Sequence, residues 1–309
     1  MNKPQIDVSI IIVNYKTSHL IINCVKSLFH QTKGIDYEIF IIDNNSEKDF
    51  ESAISTQIGR HYNIHYISLP ENIGFGRANN EALPYAKGRN ILFLNPDTII
   101  LNNAIKILSD FLDTNLDAGA CGGNLYGESL QPAFSFRRFL PGIFWDFNEM
   151  LHHIPFKIRY GKDEYFNSTQ SPYEVGFISG ADLMVKYDVL DKTGGFSKDF
   201  FMYYEETDLC ARIAKNGWKI YSVPDAKIQH LDGKSFQQNS NATTTLDPNR
   251  IKLMEEGRHL YLKKNTHKTE RYITNVLYWF FLKSRSILTP KYKKEQYKLY
   301  LKYFKEAWH

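Results

Sequence analysis

The sequence predicts an α/β fold with a mostly parallel central sheet flanked by helices, followed by a C-terminal helical extension. The first observation is a run at 8–13 that is β-branched at every position except Ser9, which is typical of a strand buried on both faces of a parallel sheet. The second is that further strand-like segments at 37–42, 64–69 and 90–94 are separated by segments with helical spacing. Strands that alternate with helices indicate βαβ units.

The composition is that of a globular protein of one large domain with an appendage, or of two domains. The chain has 309 residues, of which 43% are apolar and 23% charged, which excludes wholesale disorder. Cys24, Cys121 and Cys210 are too few and too widely spaced for a disulfide framework or a thiolate zinc site, so a reducing compartment is expected. The first residues do not read as a signal peptide, and no apolar run approaches the ~20 residues that cross a bilayer. We therefore expect a cytoplasmic protein.

The chain divides into a mildly acidic body and a basic tail. A polar stretch at 237–248 predicts a linker, which places the main domain at 1–236 and the linker with its tail at 237–309. Residues 250–309 carry 15 Lys and Arg against 5 Asp and Glu, which leaves 23 against 29 for the remainder. Within the body, the periodicity weakens at 125–175, which indicates a long excursion over the sheet.

The tail is predicted to be helical, and its pattern suits contact with a membrane. An apolar run at 276–282 is closed by Lys283, and Lys alternates with Tyr, Leu and Phe at 291–305. Basic aromatic helices of this kind bind anionic leaflets, where each basic residue contributes about 1 kcal/mol. A C-terminal helix that packs on the main domain with solvated lysines has the same pattern, so both interpretations stay open.

Polar side chains follow four predicted strands at the point where each strand ends. Ligands of open α/β sheets bind beyond the carboxyl ends of the strands, so we expect these side chains to share one site. They belong to the segments Asn14-Tyr15, Asp43-Asn44-Asn45-Ser46, Glu71-Asn72 and Asn95-Pro96-Asp97.

Two carboxylates among them suit parts of a nucleotide ligand. Asp43 can accept a hydrogen bond from the N3–H of uracil or thymine, a donor that cytosine lacks, although an Asx turn or a helix cap would use the same residue. Asp97 beside a diphosphate suits Mg²⁺ or Mn²⁺, which need few protein ligands, although a strand-terminal turn is the alternative. His230 follows a later strand and is either a second metal ligand or a structural histidine.

A glycine pair, Gly74 and Gly76, precedes a helical pattern that runs to Ala86. Backbone amides and the helix dipole at such a position favour a phosphate-bearing ligand, although a structural turn explains the glycines equally. The segment is not the dinucleotide fingerprint, because Asn79 stands in place of the third glycine, which disfavours a dinucleotide oxidoreductase. It is not a P-loop either, because no Gly-Lys-Ser/Thr follows.

The start of a predicted helix at 205–216 carries three carboxylates, those of Glu205, Glu206 and Asp208. The helix dipole there keeps a carboxylate deprotonated and available as a general base, although acidic residues are common in any first helical turn. Consecutive helical residues point about 100° apart, so Glu205 and Glu206 cannot both address one reacting atom.

Taken in order, these segments resemble glycosyltransferase family 2, the inverting nucleotide-sugar transferases of GT-A fold, and most closely its bacterial rhamnosyltransferase-like branch. The likeness covers residues 6–235 and rests on seven motifs in family order. They are VSIIIVNY (8–15), IDNNS (42–46), ENIGFGRANN (71–80), ILFLNPDT (91–98), ISGADLMVK (178–186), TGGFSKDFFMYYEETDLCARI (193–213) and IQHLDGKS (228–235).

The resemblance implies a role for each matching residue. Base and ribose would be held by Asn14, Tyr15 and Asp43, and the diphosphate by Asn72, Gly74, Phe75, Asn79 and Asn80. Asn95-Pro96-Asp97 stands where the family has its Asp-x-Asp motif, so Asp97 would bind Mg²⁺ or Mn²⁺, with Asn95 in place of the first carboxylate and His230 completing the metal site. The family has Glu-Asp at this position, and the second residue of that pair is its usual base. Glu206 would therefore be the catalytic base and Glu205 the alternative.

The implied activity is metal-dependent transfer of a hexosyl group with inversion, in cell-surface polysaccharide synthesis. The donor would be dTDP-rhamnose or a UDP-hexose, and the acceptor a glycan or lipid-linked glycan that contacts the excursion at 125–175. The expected location is the cytoplasm, with peripheral contact to the inner face of the cell membrane through the tail. A catalytically silent sugar-nucleotide-binding protein is the alternative. Nucleic acid is not expected as a partner, because the acidic body and the ordered motifs do not suit it.

Overall fold

The structure is a computed structural model that describes residues 6–45, 50–59, 61, 63–151, 153–231 and 247–308. The predicted domain boundary at 236–237 and most of the predicted linker lie outside these residues. Among the described helices, none combines the length and the apolar composition that crossing a membrane requires.

Eleven strands are described. They are β1 Val8–Asn14, β2 Tyr37–Asp43, β3 Ile64–Ser68, β4 Asn90–Leu94, β5 Thr98–Ile100, β6 Ala118–Tyr126, β7 Phe136–Arg137, β8 Tyr173–Val175, β9 Phe177–Ile178, β10 Asp182–Lys186 and β11 Lys219–His230. Nine of them form the central sheet in the order β3-β2-β1-β4-β10-β6-β11-β5, with β8 paired to β11, while β7 and β9 form a separate ribbon.

Eleven α-helices are described. They are α1 Ser18–Gln31, α2 Phe50–Ile58, α3 Phe75–Asn80, α4 Ala104–Thr114, α5 Ile143–Met150, α6 Ile154–Tyr160, α7 Tyr187–Thr193, α8 Glu205–Lys215, α9 Pro248–Asn265, α10 Lys268–Leu288 and α11 Lys291–Trp308. The tail is therefore helical, as its sequence predicts. The helix expected to run to Ala86 ends as α-helix at Asn80 and continues as turns.

The sheet is parallel in its first half and mixed in its second. Strands β3, β2, β1 and β4 pair in parallel, as the alternating pattern predicts. Strand β10 then pairs antiparallel to both β4 and β6, and β11 pairs antiparallel to β5 and β8 but parallel to β6. The expectation of a mostly parallel sheet thus holds only for the N-terminal half, because β10 enters from the opposite direction after a long connection.

The run at 8–13 is apolar except at Ser9, because both faces of β1 are covered. Ile10 and Ile12 point into a core shared with α1, α2 and α4, and Ile11 and Val13 point into a second core shared with α3, α7 and α8. The prediction of a doubly buried strand is correct. The three cysteines are buried and unpaired.

The tail packs on the main domain through a buried polar cluster and an apolar contact. Arg258 of α9 donates to Asp146 of α5 at 2.7 Å and to Asn275 of α10 at 3.1 Å, and all three side chains are buried. The Tyr278 hydroxyl donates to Glu255 at 2.7 Å in the same cluster. Apolar side chains of α9 pack against α8 and the segment before it. Helices α9 and α10 therefore pack on the main domain, as one of the two interpretations of the tail predicts.

Candidate active site

Strand register brings the predicted site segments to one edge of the sheet. Asn14 is paired with Asp43, and Ile12, two residues earlier, is paired with Leu94. Leu94 is in turn paired with Asp182 across the antiparallel ladder. The ends of β1, β2 and β4 and the start of β10 therefore lie side by side, as expected for the ligand edge of an α/β sheet.

The Asp43 carboxylate is held by its strand neighbour. The Asn14 side-chain amide donates to Asp43 Oδ1 at 2.9 Å, and both residues are buried. Asn14 Oδ1 accepts from the Thr17 amide at 3.0 Å and from its hydroxyl at 2.9 Å, which fixes the orientation of the amide. Tyr15, next along the chain, is half-buried at the same edge. Because Asn14 donates to one of the two carboxylate oxygens of Asp43, this carboxylate is oriented before any ligand binds.

Asn44 joins this group to the glycine turn, a contact that the sequence motifs do not reveal. Its side-chain amide donates to Asn72 Oδ1 at 2.8 Å, and its Oδ1 accepts from the Ile73 amide at 3.0 Å. Asn72 Oδ1 also accepts from the Gly74 amide at 3.0 Å. The only sequence signal for Asn44 is its place directly after Asp43.

Gly74 is required by both conformation and space. Its φ is +90°, and a Cβ added there would lie 2.3 Å from the backbone oxygen of Phe201. The same oxygen accepts from the Phe75 amide at 3.0 Å. The turn before α3 is thereby joined to the segment that leads into α8.

The two asparagines of α3 have different surroundings. Asn79 is buried, donates to the Phe75 carbonyl at 3.0 Å, and its Oδ1 has no hydrogen-bond partner among the described residues. Asn80 both donates to and accepts from the backbone of Phe196, at 2.8 and 2.9 Å. Asn80 therefore holds the segment before α8, and the Phe75 ring packs on that of Phe196.

Asp97 and His230 form the predicted pair of metal ligands. His230 Nε2 lies 3.3 Å from Asp97 Oδ1, and Asn95 Nδ2 lies 3.4 Å from the same ring nitrogen. The pairing of His230 with Thr98 in the β11–β5 ladder causes this proximity, although 133 residues separate Asp97 from His230. No cluster of three or more His, Cys, Asp or Glu in the described part of the chain could hold a metal ion.

Glu205 and Glu206 begin α8 in different environments. Glu205 is 5% exposed, and its Oε2 has no hydrogen-bond partner among the described residues. Burial, together with the charge of Glu206, holds the pKa of Glu205 well above its usual range. Glu206 is more accessible, and burial raises its pKa as well. Of the two residues, Glu206 is therefore the less buried one.

Glu206 is connected to the Asn95 segment through the loop before β10. Its side chain lies over Gly180, where an added Cβ would be 3.7 Å from Glu206 Cγ. The next residue, Ala181, accepts from the Asn95 amide at 3.0 Å through its carbonyl. The predicted base and the backbone of Asn95, two residues before Asp97, thus both contact a short loop at residues 179–181.

Helix α9 supports the turn that presents the two glutamates. Tyr203 and Tyr204 have φ of +71° and +69°, a left-handed conformation that is unusual for aromatic residues. A Cβ added to Gly257 of α9 would lie 2.7 Å from the Tyr203 carbonyl oxygen, and the Tyr204 ring packs on that of Tyr261. The close approach of α9 thus keeps the turn in place.

Asp182 is a buried carboxyl at the same edge to which the sequence motifs assign no role. It is fully buried, its Oδ2 accepts from the Gly123 amide at 2.6 Å, and its Oδ1 has no hydrogen-bond partner among the described residues. Burial raises its pKa to about 7. In the sequence, Asp182 could have been singled out as the one carboxylate within an otherwise apolar strand, ADLMV.

The predicted residues therefore form two groups at one sheet edge. The first group contains the hydrogen-bonded pair of Asn14 and Asp43 and the turn formed by Asn72, Gly74 and Phe75. The second joins Asn95, Asp97 and His230, with Glu206 beyond the adjoining loop. Asn79 and Asn80 lie on α3, between the glycine turn and the Phe196 segment.

This fold and this edge define a class of protein, the nucleotide-sugar glycosyltransferases of GT-A fold. The chain is similar over 99% of its length to the mannosyltransferase PcManGT from Pyrobaculum calidifontis, solved in complex with GDP-Man and Mn²⁺. The TM-score is 0.60 with 15% identity, and 84% of that chain is covered. The GT-A fold that the motifs imply is confirmed.

The chain belongs to glycosyl transferase family 2, whose family profile matches residues 9–193. It is 29% identical over 227 residues to the rhamnosyltransferase WbbL of Escherichia coli K12, across 69% of this chain and 81% of the relative. It is 27% identical over 214 residues to the N-acetylglucosaminyl-diphospho-decaprenol L-rhamnosyltransferase of Mycobacterium tuberculosis, across 62% of this chain and 66% of the relative. The resemblance to the family's rhamnosyltransferase branch is confirmed, and the chain is a glycosyltransferase that acts in glycan synthesis.

Proposed function

We propose that this glycosyltransferase transfers a hexosyl group, with inversion, to a glycan or lipid-linked glycan in cell-surface polysaccharide synthesis. The donor is dTDP-rhamnose or a UDP-hexose. The single observation that carries the proposal is the loop at residues 179–181, which contacts Glu206 through Gly180 and the Asn95 amide through Ala181, two residues before the Asp97–His230 pair. The two rhamnosyltransferase relatives support the sugar class, and the mycobacterial name supports a lipid-linked acceptor.

The donor base is recognised by the Asn14–Asp43 pair in this proposal. Asp43 accepts from the N3–H that uracil and thymine share, which favours UDP or dTDP over cytidine nucleotides. The Tyr15 ring lies directly after the strand and is assigned to base and ribose contacts.

The residues present fit a divalent cation bound together with the donor. A buried carboxylate and an imidazole, placed side by side, supply two ligands, and the donor diphosphate supplies oxygens of the kind that Mg²⁺ and Mn²⁺ prefer. We assign Asp97 and His230 as the ligands and Asn95 as the residue that contacts both the histidine and the donor. When bound, the metal neutralises charge on the departing nucleoside diphosphate.

The chemical step assigned to this chain is proton removal by Glu206. As the acceptor hydroxyl oxygen bonds to the anomeric carbon, its proton passes to a Glu206 carboxylate oxygen. The bond from the anomeric carbon to the diphosphate oxygen breaks on the opposite face, and the configuration inverts. The raised pKa of Glu206, caused by burial, makes its carboxylate a better proton acceptor than an exposed glutamate.

Replacing Asp97 by alanine is expected to weaken metal-dependent donor binding at least about tenfold, because the pair then retains only His230. Titration calorimetry with the nucleoside diphosphate, with and without Mn²⁺, measures the effect. The matched control is Asp110→Ala, which removes an exposed carboxylate of α4. Equal Mn²⁺ enhancement of binding in Asp97→Ala and wild type would exclude the metal-ligand role.

The experiment that tests the function is a donor panel. Thermal shift with Mn²⁺ against dTDP-rhamnose, UDP-hexoses and GDP-mannose identifies the donor, and a transfer assay with a glycan acceptor follows. Stabilisation by one donor, with transfer and inverted configuration, is the expected result. Donor binding with neither transfer nor hydrolysis would instead identify a silent sugar-nucleotide-binding protein.

The expected location, at the inner face of the cell membrane, also belongs to this proposal. It is supported by the buried, unpaired cysteines and by the excess of positive charge at 250–309. Lysines near a membrane surface are attracted by anionic headgroups, so a tail with this charge favours peripheral contact.

A further inference from the structure

The excursion between β7 and β8 exposes only apolar and basic side chains over its two helices. Among the described residues at 143–160, the exposed ones are Phe144, Phe147, Leu151, Ile154, Lys157, Ile158 and Arg159. Neither carboxylate of these helices is exposed, since Asp146 is buried against Arg258 and Glu149 is partly buried 3.1 Å from His153. A surface evolved for water alone would carry charges of both signs.

The exposed apolar residues follow the helical repeat. Phe144, Phe147 and Leu151 are spaced by three and four, so they lie on one face of α5 and its continuation. Ile154 and Ile158 share one face of α6 in the same way. Phe144 is 78% exposed and Ile158 is 82% exposed, so these side chains contribute almost nothing to the core.

Helix α10 packs against α5 and also exposes apolar and basic side chains. Its exposed Ile273, Phe280 and Ile287 are spaced by seven, so they form one stripe along the helix, with Lys283 exposed beside it. No Asp or Glu is exposed among the described residues of α5, α6 or α10. More than half of the large hydrophobic side chains exposed in the described part of the chain belong to these three helices and the residue after α5.

We propose that α5, α6 and the exposed face of α10 form a surface that lies in the interface of an anionic lipid bilayer. Apolar side chains on such a surface enter the boundary between headgroups and acyl chains, while adjacent cations contact lipid phosphates. A second copy of this chain fits less well. A two-fold contact places the same patch on both subunits, so Lys157 and Arg159 would face their own copies without compensating carboxylates.

The surface differs from the basic tail helix that the sequence alone suggests, because it is built mainly from the excursion. The ends of the excursion are joined by the β7–β9 pairing and by the Ser179 amide, which donates to the Ser135 carbonyl at 2.9 Å. The next residue, Gly180, lies against Glu206. This route rests on the proposed function: a lipid-linked acceptor held in the bilayer reaches the base along this excursion.

The test is flotation of the full chain with vesicles of phosphatidylcholine alone or mixed with phosphatidylglycerol. The variant is Phe144→Ser with Ile158→Ser, and the matched control is Tyr85→Ser with Leu116→Ser, whose side chains are 63% and 83% exposed elsewhere on the fold. We expect wild type and control to float with the anionic vesicles and the Phe144/Ile158 variant to partition at least about tenfold less. Added salt should weaken the binding of wild type.

Three results would overturn the proposal. They are absence of wild-type flotation, equal partitioning of the Phe144/Ile158 variant and the control, and a lipid-free dimer that this variant dissociates. Donor binding and transfer to a water-soluble acceptor are measured on the same samples, and donor binding should be unchanged in the variant. Flotation without any transfer by wild type would count against the proposed function and leave the bilayer surface standing, so the two failures are distinguishable.

Discussion

Replacing Glu206 by glutamine is expected to lower transfer by about 10²–10⁴-fold while leaving donor affinity nearly unchanged. Glutamine has almost the same shape but cannot take a proton, so only the step that needs a base is lost. Transfer is measured with the donor identified by the panel, and donor affinity by calorimetry. Turnover comparable to wild type would exclude Glu206 as the base.

Glu205→Gln is the matched control, because it changes the neighbouring carboxyl in the same helical turn. Glu205 is buried beside Gly76, where an added Cβ would lie 3.4 Å from Glu205 Cβ, so its role is expected to be structural. We expect the control to retain most of the transfer rate. The opposite result, with loss in Glu205→Gln alone, would move the base to Glu205.

The pH dependence of kcat/KM gives an independent measure of the same base. A general base acts only when deprotonated, and burial raises the pKa of Glu206 above the ordinary glutamate value. The acid limb of the profile should therefore lie at higher pH than an exposed glutamate would give, and activity should fall as pH drops through it. Glu206→Gln should lack this limb in its residual activity.

Replacing Arg258 by leucine is expected to lower the free energy of unfolding by about 3–5 kcal/mol. Arg258 is the buried cation that faces Asp146 and Glu255, and its removal takes this positive partner from two buried carboxyls. Urea unfolding at neutral pH measures the loss. The control is Lys252→Leu in the same helix, which removes an exposed ion pair with Glu256 and should change stability by less than about 1 kcal/mol.

The loss caused by Arg258→Leu should be larger at pH 8 than at pH 5. Burial raises the pKa of Asp146 to about 6 and that of Glu255 to about 7, even with Arg258 present. Carboxyls whose folded pKa exceeds the unfolded one bind more protons when folded, so stability falls as pH rises through this interval. Removing Arg258 raises both pKa values further, so the deficit grows once both groups must ionise. Equal losses at both pH values would show that these carboxyls do not face Arg258.

The sequence by itself determined the parallel half of the sheet and the identity of the strand-end groups. The run at 8–13 is apolar at every position except Ser9, which predicts a strand covered on both faces, and β1 has that environment. The pairing of Asn14 with Asp43 follows from two parallel strands that end together. Local periodicity and strand-end chemistry are short-range signals, and they can be interpreted without knowing how distant segments meet.

Only the tertiary structure decided what distant segments do for one another. The sequence does not show that β10 enters antiparallel with Asp182 buried, or that Arg258 finds Asp146 across 112 residues. It also does not show that Phe144, Phe147 and Ile158 stay exposed, since an apolar helix face predicts burial until its neighbours are known. Periodicity encodes which face of an element is apolar. Which other element covers that face, or whether any does, depends on long connections whose closure leaves no local pattern.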